Sequence, residues 1–163
     1  WQFMQALALQ SANNWSRFIS MQNHLNLLYR EEEREMLPLC RDQGIGVIPW
    51  SPLARGRLAR GPDEKTERSE TDKFGQYLYR KTAEADRAVI ERVGEIATER
   101  ALPRGQVALA WLLAKNGVTA PIVGATKIEQ LNDAIAAAEV ALTADEIKRL
   151  EEPYIPHPVA GFV

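Results

Sequence analysis

Apolar positions recur along this chain with two periods, and their alternation predicts its elements. Phe3, Met4, Leu7 and Leu9 mark a helix over residues 1–13. Phe18, Ile19 and Met21 form a short apolar run that predicts a strand over 17–22. Residues 31–43 read as a helix, acidic at the start and apolar at Met36, Leu37 and Cys40, with Gly44 as its C-cap. Branched residues over 45–49 predict a second strand. Residues 51–82 are polar and carry Gly56, Gly61, Pro62 and Gly75, the pattern of a long loop of the kind often used for function. Val89, Ile90, Val93, Ile96 and Ala97 line one face of a helix over 86–100. Pro103 suits the first position of the next helix, which runs to Lys115 and is so apolar that it should be buried. A third strand is predicted over 119–124 and a helix over 127–139. Thr143 and Glu146 have the spacing of a capping box opening a last helix, and Pro153, Pro156 and Pro158 make the tail irregular.

The order is a helix, three strand–helix units, then an extra helix and tail. Strands alternating with long helices predict an α/β fold with a parallel sheet. Three such strands cannot close a barrel; a full (β/α)₈ (TIM) barrel needs eight and typically about 250 residues. The chain also opens at Trp1 inside a helical pattern that has no N-terminal signals. Both features fit a partial (β/α)₈ barrel: its last three βα units, C-terminal helix and tail, with residues 1–163 as one domain piece and the N-terminal half absent.

Charge narrows the function classes. The 20 basic and 22 acidic residues are well mixed and leave a net charge of −2, which argues against a nucleic-acid face or a polybasic membrane anchor. No apolar run approaches the roughly 20 residues of a membrane span, and no signal peptide is visible. The single cysteine, Cys40, sits in an apolar helical pattern and reads as a buried structural thiol in a reducing, cytoplasmic compartment.

In α/β folds ligands meet the C-terminal ends of strands. Three segments qualify: Gln22-Asn23-His24, the run from Trp50 to Gly56, and Gly124-Ala125-Thr126-Lys127. In the third, Thr126 can cap a helix with Glu129 as capping-box partner, leaving N–H groups free for an anion. Gln130 and Asp133 lie opposite Ile128, Leu131 and Ile135, so the polar pair can face a ligand while the aliphatics face the core; from this segment alone an ordinary capped helix with a solvated face is the stronger reading. In the second, small residues let the backbone approach a phosphate, Ser51 offers a hydroxyl, Arg55, Arg57 and Arg60 offer charge, and Trp50 offers a flat face; a basic surface loop over a buried Trp is the other reading. Gln22 is an amide that can both donate and accept, or a structural hydrogen-bonding residue. His24 and His157 have no metal-ligand spacing and read as polar or packing histidines. There is no metal motif, nucleophile elbow, G-x-G-x-x-G fingerprint or Walker A loop.

Taken together, Phe18 to Asn26, Val47 to Gly56, and Pro121 to Thr126 with Gln130 and Asp133 resemble the last three strands of the aldo-keto reductase barrel. The tail from Pro153 to Phe162 is similar to one bacterial subgroup, some of whose members are named 1-deoxyxylulose-5-phosphate synthase. The resemblance implies cofactor contacts. Gln22 matches the residue that bonds the nicotinamide carboxamide, and Trp50 the aromatic residue that stacks on its ring. Ser51, Pro52, Leu53 and Arg55 match the loop around the pyrophosphate. Gly124, Thr126 and Gln130 match contacts to the adenosine phosphate end. Asp133 stands where a glutamate usually holds adenine, and Ala134 where an asparagine is usual, so one adenine contact is lost. Arg68 matches an arginine near the 2′-phosphate; with Arg55 and Lys127 it favours NADP (NADPH) over NAD by charge.

The family's catalytic Asp, Tyr, Lys and His lie on the first four strands, and its nicotinamide-holding serine–asparagine pair follows the fifth. No catalytic role therefore falls to Tyr29, Lys115 or His24. The implied function is NADP(H)-dependent reduction of a small-molecule carbonyl by hydride transfer. This chain would supply the cofactor clamp, and alone it is expected to show no turnover. The alternatives are a non-catalytic, cofactor-sensing binding subunit of the same fold, as the potassium-channel β subunits are, and a half-barrel that self-associates. Substrate and oligomeric state are not readable from the sequence.

Overall fold

The computed structural model describes residues 1–64, 66 and 70–159. Helix α1 (Gln2–Ala12) leads to strand β1 (Ser20–Met21). A 3₁₀ turn (Glu31–Glu33), helix α2 (Met36–Gln43) and strand β2 (Gly46–Val47) follow. A second 3₁₀ segment (Ala54–Ala59) and helix α3 (Lys73–Tyr79) precede α4 (Ala83–Glu99) and α5 (Arg104–Leu113). Helix α6 (Ile128–Ala136) runs into a 3₁₀ turn (Ala137–Glu139), and α7 (Ala144–Glu151) precedes the tail.

Several boundaries differ from the pattern-based expectation, each for a local reason. The helix expected over 31–43 is broken at Glu35, whose φ of −134° is not helical. Pro38 explains the break: inside a continuous helix it would remove a hydrogen bond and clash with the preceding turn, whereas restarting at Met36 places it in a first turn, where proline is tolerated. Gly44 does close α2 in the left-handed conformation, φ 66°. Residues 51–82 are not a loop throughout. Asp72 caps α3 by accepting from the Gly75 N–H at 3.0 Å, and Leu58, Leu78 and Tyr79 are buried. Pro103 is the N-cap of α5 rather than its first helical residue, with ψ at 141°.

Strands β1 and β2 pair in parallel, Ser20 opposite Gly46 and Met21 opposite Val47. Their ladder continues past both ends: Gly46 donates to the Ile19 carbonyl at 3.0 Å, Ile48 to Met21 at 2.9 Å and Trp50 to Asn23 at 2.9 Å. Residues 119–124, expected as a third strand, run beside β2 without forming a regular one. Val118 bridges Val47 in parallel, Thr119 donates to the Val47 carbonyl at 2.8 Å, and Ile122, not residue 121, donates to Pro49 at 2.8 Å. The cause is composition. Pro121 has no N–H where the next rung falls, and Pro49 offers none from β2, so the ladder slips by one residue.

Helix α5 is buried along nearly its whole length, through Val107, Ala108, Leu109, Trp111 and Leu112, as its apolar sequence requires. It packs against α4, α6 and the 3₁₀ segment Ala54–Ala59. Val89, Val93 and Ile96 of α4, Leu25, Leu27 and Leu28 after β1, Cys40 of α2, Val47 of β2 and Leu150 of α7 complete the core. Each such side chain contributes roughly 1.5–3 kcal/mol on burial. The Trp111 indole N–H donates to Glu151 Oε1 at 2.9 Å, so the buried ring keeps its polar atom satisfied. The Cys40 thiol is fully buried and unpaired, and burial pushes its pKa up, which fits an inert structural cysteine.

The capping box of α7 forms as the spacing predicts. Glu146 N–H donates to Thr143 Oγ1 at 3.2 Å, and Thr143 N–H donates to Glu146 Oε2 at 2.7 Å. Thr143→Ala is expected to lower unfolding free energy by about 1 kcal/mol. A urea melt checks this, and an unchanged midpoint would show that the cap is dispensable.

One side of the molecule differs from expectation. Ile128 and Ile135 are each 63% exposed, and Leu131 is exposed beside them, although this face of α6 was expected to meet the core. No element among the described residues covers that face. The helix is held instead along its other side, where Gln106 of α5 donates to Asp133 Oδ1 at 3.0 Å and Ala137 is buried. Ile19, 85% exposed beside Phe18, is a second open apolar edge, flanking β1.

Candidate functional site

The parallel register brings three chain ends to one rim. Gln22 leaves β1, Trp50 leaves the ladder of β2, and 123–126 leave the irregular third crossing, all at the same end because all three crossings run in one direction. Gln22, Gly124, Thr126, Gln130 and Asp133 are exposed there; Trp50, Ser51, Leu53 and Arg55 are half-buried and Pro52 is buried. Arg68 lies outside the described residues.

Trp50 is the most constrained of these groups. It bridges His24 across the ladder, and the two rings stack with centroids 4.2 Å apart and planes 15° apart. Tyr29 stacks on His24 in turn, 4.4 Å away and 10° from parallel. His24 is only 5% exposed, and burial lowers its pKa to about 4, so the imidazole is neutral at pH 7. The polar edges around it connect. The Asn26 side-chain amide donates to the Ser51 carbonyl at 2.9 Å and to the Tyr79 hydroxyl at 3.0 Å, and that hydroxyl lies 2.8 Å from His24 Nε2. Burial raises the Tyr79 pKa, so its hydroxyl stays protonated and can donate to Nε2. His24 Nδ1 is buried with no partner among the described residues.

The turn after Trp50 is built from left-handed residues. Ser51, Ala54, Arg55 and Gly56 have φ of 53°, 47°, 57° and 92°. Only Gly56 adopts this without strain, so the three others depend on contacts that hold them there. Two of those contacts reach the Ser51 carbonyl, from Asn26 and from the Ala54 N–H at 2.9 Å.

Three arginines follow, and each already has a partner. Arg55 Nε donates to Asp72, and its guanidinium lies over Phe74 at 5.5 Å. Arg57 lies over the Tyr79 ring at 5.3 Å. Arg60 donates to the Gly56 carbonyl at 3.0 Å and to Thr66. Together with Asp72, Gly75 and Gln76 they line a cavity of about 380 Å³. A larger hollow of about 590 Å³ lies between α1 and α2 and includes none of the strand-end residues.

At the third crossing the expected cap does not form. The N-cap of α6 is Lys127 and makes no side-chain cap bond, and Glu129 does not reach back. Gln130 takes that part: its Oε1 accepts from the Thr126 N–H at 3.0 Å and lies 3.3 Å from the Thr126 hydroxyl. A side chain one turn into the helix has displaced the shorter capping route, so the N–H expected to be free for an anion is engaged.

The tail is tied back to the body. Tyr154 donates from its hydroxyl to Glu31 Oε1 at 2.7 Å, and the His157 N–H donates to the same oxygen at 2.8 Å. His157 Nε2 lies 2.7 Å from Asp86 Oδ1, both side chains buried, and Thr82 Oγ1 donates to Asp86 Oδ2 at 2.8 Å. Burial opposes the charged form of His157, but the hydrogen bond and charge of Asp86 outweigh it and its pKa lies above the usual value.

Sequence reading did not anticipate the roles of Asn26, Asp72 and Tyr79. Asn26 and His24 sit at an i, i+2 spacing after a strand, which is a weak signal. Asp72 and Tyr79 reach the loop only through the chain's return in α3, which no local pattern encodes.

The aldo/keto reductase family profile matches residues 1–155. A Schizosaccharomyces pombe protein named as an aryl-alcohol dehydrogenase is 47% identical over 163 residues, 99% of this chain and 45% of that protein. An aldo-keto reductase of Fusarium vanettenii is 44% identical over 99% of this chain and 43% of its own length. The versiconal hemiacetal acetate reductase of Aspergillus parasiticus is 44% identical over 98% of this chain and 47% of its own length. These relatives are named as a dehydrogenase and as reductases. The chain belongs to the aldo/keto reductase family. It spans under half the length of these relatives. No helix among the described residues is long and apolar enough to cross a membrane.

Proposed function

We propose that residues 1–163 are the cofactor-holding part of an NADP(H)-dependent reductase of small-molecule carbonyls, built as the last three βα units of a (β/α)₈ barrel. The observation that carries this reading is the single rim on which Gln22, Trp50 and 123–126 meet. The names of the relatives support the same class of chemistry, since each that specifies a substrate specifies an alcohol or a hemiacetal. Those relatives are fungal, so the bacterial subgroup that the tail resembles is retained only as a narrower expectation within the family. Cys40, buried and unpaired, supports a reducing, cytoplasmic setting.

The residues present suit a dinucleotide. Trp50 offers an indole face held in a defined plane, Gln22 an exposed amide, and the cavity beside the turn is lined by the guanidinium groups of Arg55, Arg57 and Arg60 together with the carboxylates of Asp63, Glu64 and Asp72. When bound, the nicotinamide would supply the hydride for the carbonyl carbon. Gln22 would donate to and accept from its carboxamide. Ser51, Pro52 and Leu53 would present backbone to the pyrophosphate, and Arg55 would exchange Asp72 for a phosphate. Gly124, Thr126, Gln130 and Asp133 would meet the adenosine end, with Gln130 releasing the Thr126 N–H and Asp133 releasing Gln106. Arg68 and Lys127 would add positive charge near a 2′-phosphate. None of these side chains is assigned to protonate the carbonyl oxygen. That group belongs to strands outside these three, so this chain alone is expected to show no turnover of a model aldehyde with NADPH.

Tryptophan fluorescence should be quenched saturably by NADPH, and NADH should bind roughly tenfold more weakly because it lacks a charged hydrogen-bonding group. Trp50→Leu should remove most of the quenching. Absence of saturable quenching by either nucleotide would overturn the assignment.

A further inference from the structure

The aromatic column behind Trp50 goes beyond packing. We propose that His24 is a positioning residue that sets the plane of the Trp50 indole and the conformation of the Ser51 turn, and so the pose in which a nicotinamide ring would be received. The inference depends on the cofactor reading only for its last step; the positioning itself is a property of the chain.

Three observations carry it. First, His24 and Trp50 are ladder partners whose rings overlap at 4.2 Å, and Tyr29 closes the column from behind at 4.4 Å. A ring held between two planes within 10° and 15° of its own leaves the indole little freedom to tilt. An aliphatic side chain could fill the same volume, but it presents no plane. Second, the Tyr79 hydroxyl 2.8 Å from His24 Nε2 selects between the two ring orientations related by a half-turn about the Cβ–Cγ bond, which stacking alone does not. Third, the same Tyr79 hydroxyl and the Ser51 carbonyl both accept from one amide, that of Asn26. Ring plane and turn conformation are therefore joined, and Ser51 is the strained residue immediately after Trp50, with φ at 53°. Tyr79 closes α3, so the column also anchors the return of the loop that carries Arg55, Arg57 and Arg60.

The test separates plane from volume. Near-ultraviolet circular dichroism of the chain minus that of Trp50→Phe isolates the band of a fixed Trp50 indole, with no cofactor present. His24→Phe keeps a flat ring and His24→Leu removes it; both lose the bond to Tyr79. The band should survive in His24→Phe and disappear in His24→Leu, although both melt at lower temperature. The NADPH dissociation constant should rise roughly tenfold in His24→Leu and by no more than about threefold in His24→Phe, in line with the worth of an aromatic pair. Tyr79→Phe, which leaves both rings and removes only the hydroxyl, should broaden the band without abolishing it. Retention of the Trp50 band in His24→Leu would overturn positioning. Should the bands behave as expected while no variant, nor the unaltered chain, binds NADPH, positioning stands and the cofactor reading fails.

Discussion

Asp86→Ala is expected to destabilise the chain by about 3–5 kcal/mol, the usual consequence of removing one partner from a buried charged pair. Asp86 is 1% exposed and serves two partners, His157 Nε2 at 2.7 Å and the Thr82 hydroxyl at 2.8 Å. Without it the buried imidazole loses the carboxylate that stabilises its charge, and the Thr82 hydroxyl, at the start of α4, is left with the longer 3.4 Å bond to the Tyr79 carbonyl. The tail then keeps the bonds that Tyr154 and the His157 N–H make to Glu31 and the one that the Tyr154 hydroxyl accepts from the Arg30 N–H at 3.0 Å. Two measurements check this. Chemical denaturation should show the stability loss, and limited proteolysis should cut within 152–159 before the body opens. Asp86→Asn, which preserves one acceptor, should lose less. Equal denaturation midpoints for Asp86→Ala and the unaltered chain would show that the pair contributes nothing.

Stability should fall by up to about 3 kcal/mol as pH drops from 6.5 to about 4, through His24 alone. Burial lowers the pKa of His24 from 6.5 to about 4, so the unfolded chain takes up a proton over this interval and the folded chain does not. The contribution is complete above 6.5 and is lost on acidification. His157 acts in the opposite direction. Burial disfavours its charge, but Asp86 more than compensates and raises its pKa. Its contribution is therefore complete below the ordinary histidine value and is lost as pH rises through the raised one. The two effects define a stability maximum between acid and alkaline limbs. Denaturation midpoints across a pH series should show both, with the acid limb flattened in His24→Phe and the alkaline limb flattened in His157→Gln. An acid limb unchanged by His24→Phe would place the titration elsewhere, for example on Glu31, Glu146 or Glu151, whose pKa values hydrogen bonds and nearby cations hold below the usual carboxylate range against the opposing effect of burial.

The paired apolar edges bear on the family assignment in physical terms. Ile128 and Ile135 lie on an amphipathic helix whose apolar side is exposed among the described residues, and Ile19 flanks the open side of β1. In a closed barrel both edges would be covered. Their exposure accompanies the match to under half of each relative's length.

What the amino-acid order determined by itself was whatever rests on short-range physics. Apolar periodicity placed α1 and α4, and a nearly continuous apolar run placed α5; the spacing of Thr143 and Glu146 placed α7 through its capping box; Gly44 ended α2; and the parallel direction of the first two crossings followed from strands separated by a helix. The likeness of the Gln22, Trp50 and Gly124 segments to one family was legible for the same reason, since each is a run of neighbouring residues. Tertiary structure alone decided the rest. Pro38, Pro49 and Pro121 act through missing donors whose effect depends on which neighbour would have accepted from them. The aliphatic face of α6 stayed open because periodicity states that a face is apolar, not that anything covers it. His24 became part of a column with Tyr29 and Trp50, and Asp86 became the anchor of the tail, through contacts between residues far apart in sequence, where burial and hydrogen bonding are settled jointly by several elements and by no local pattern.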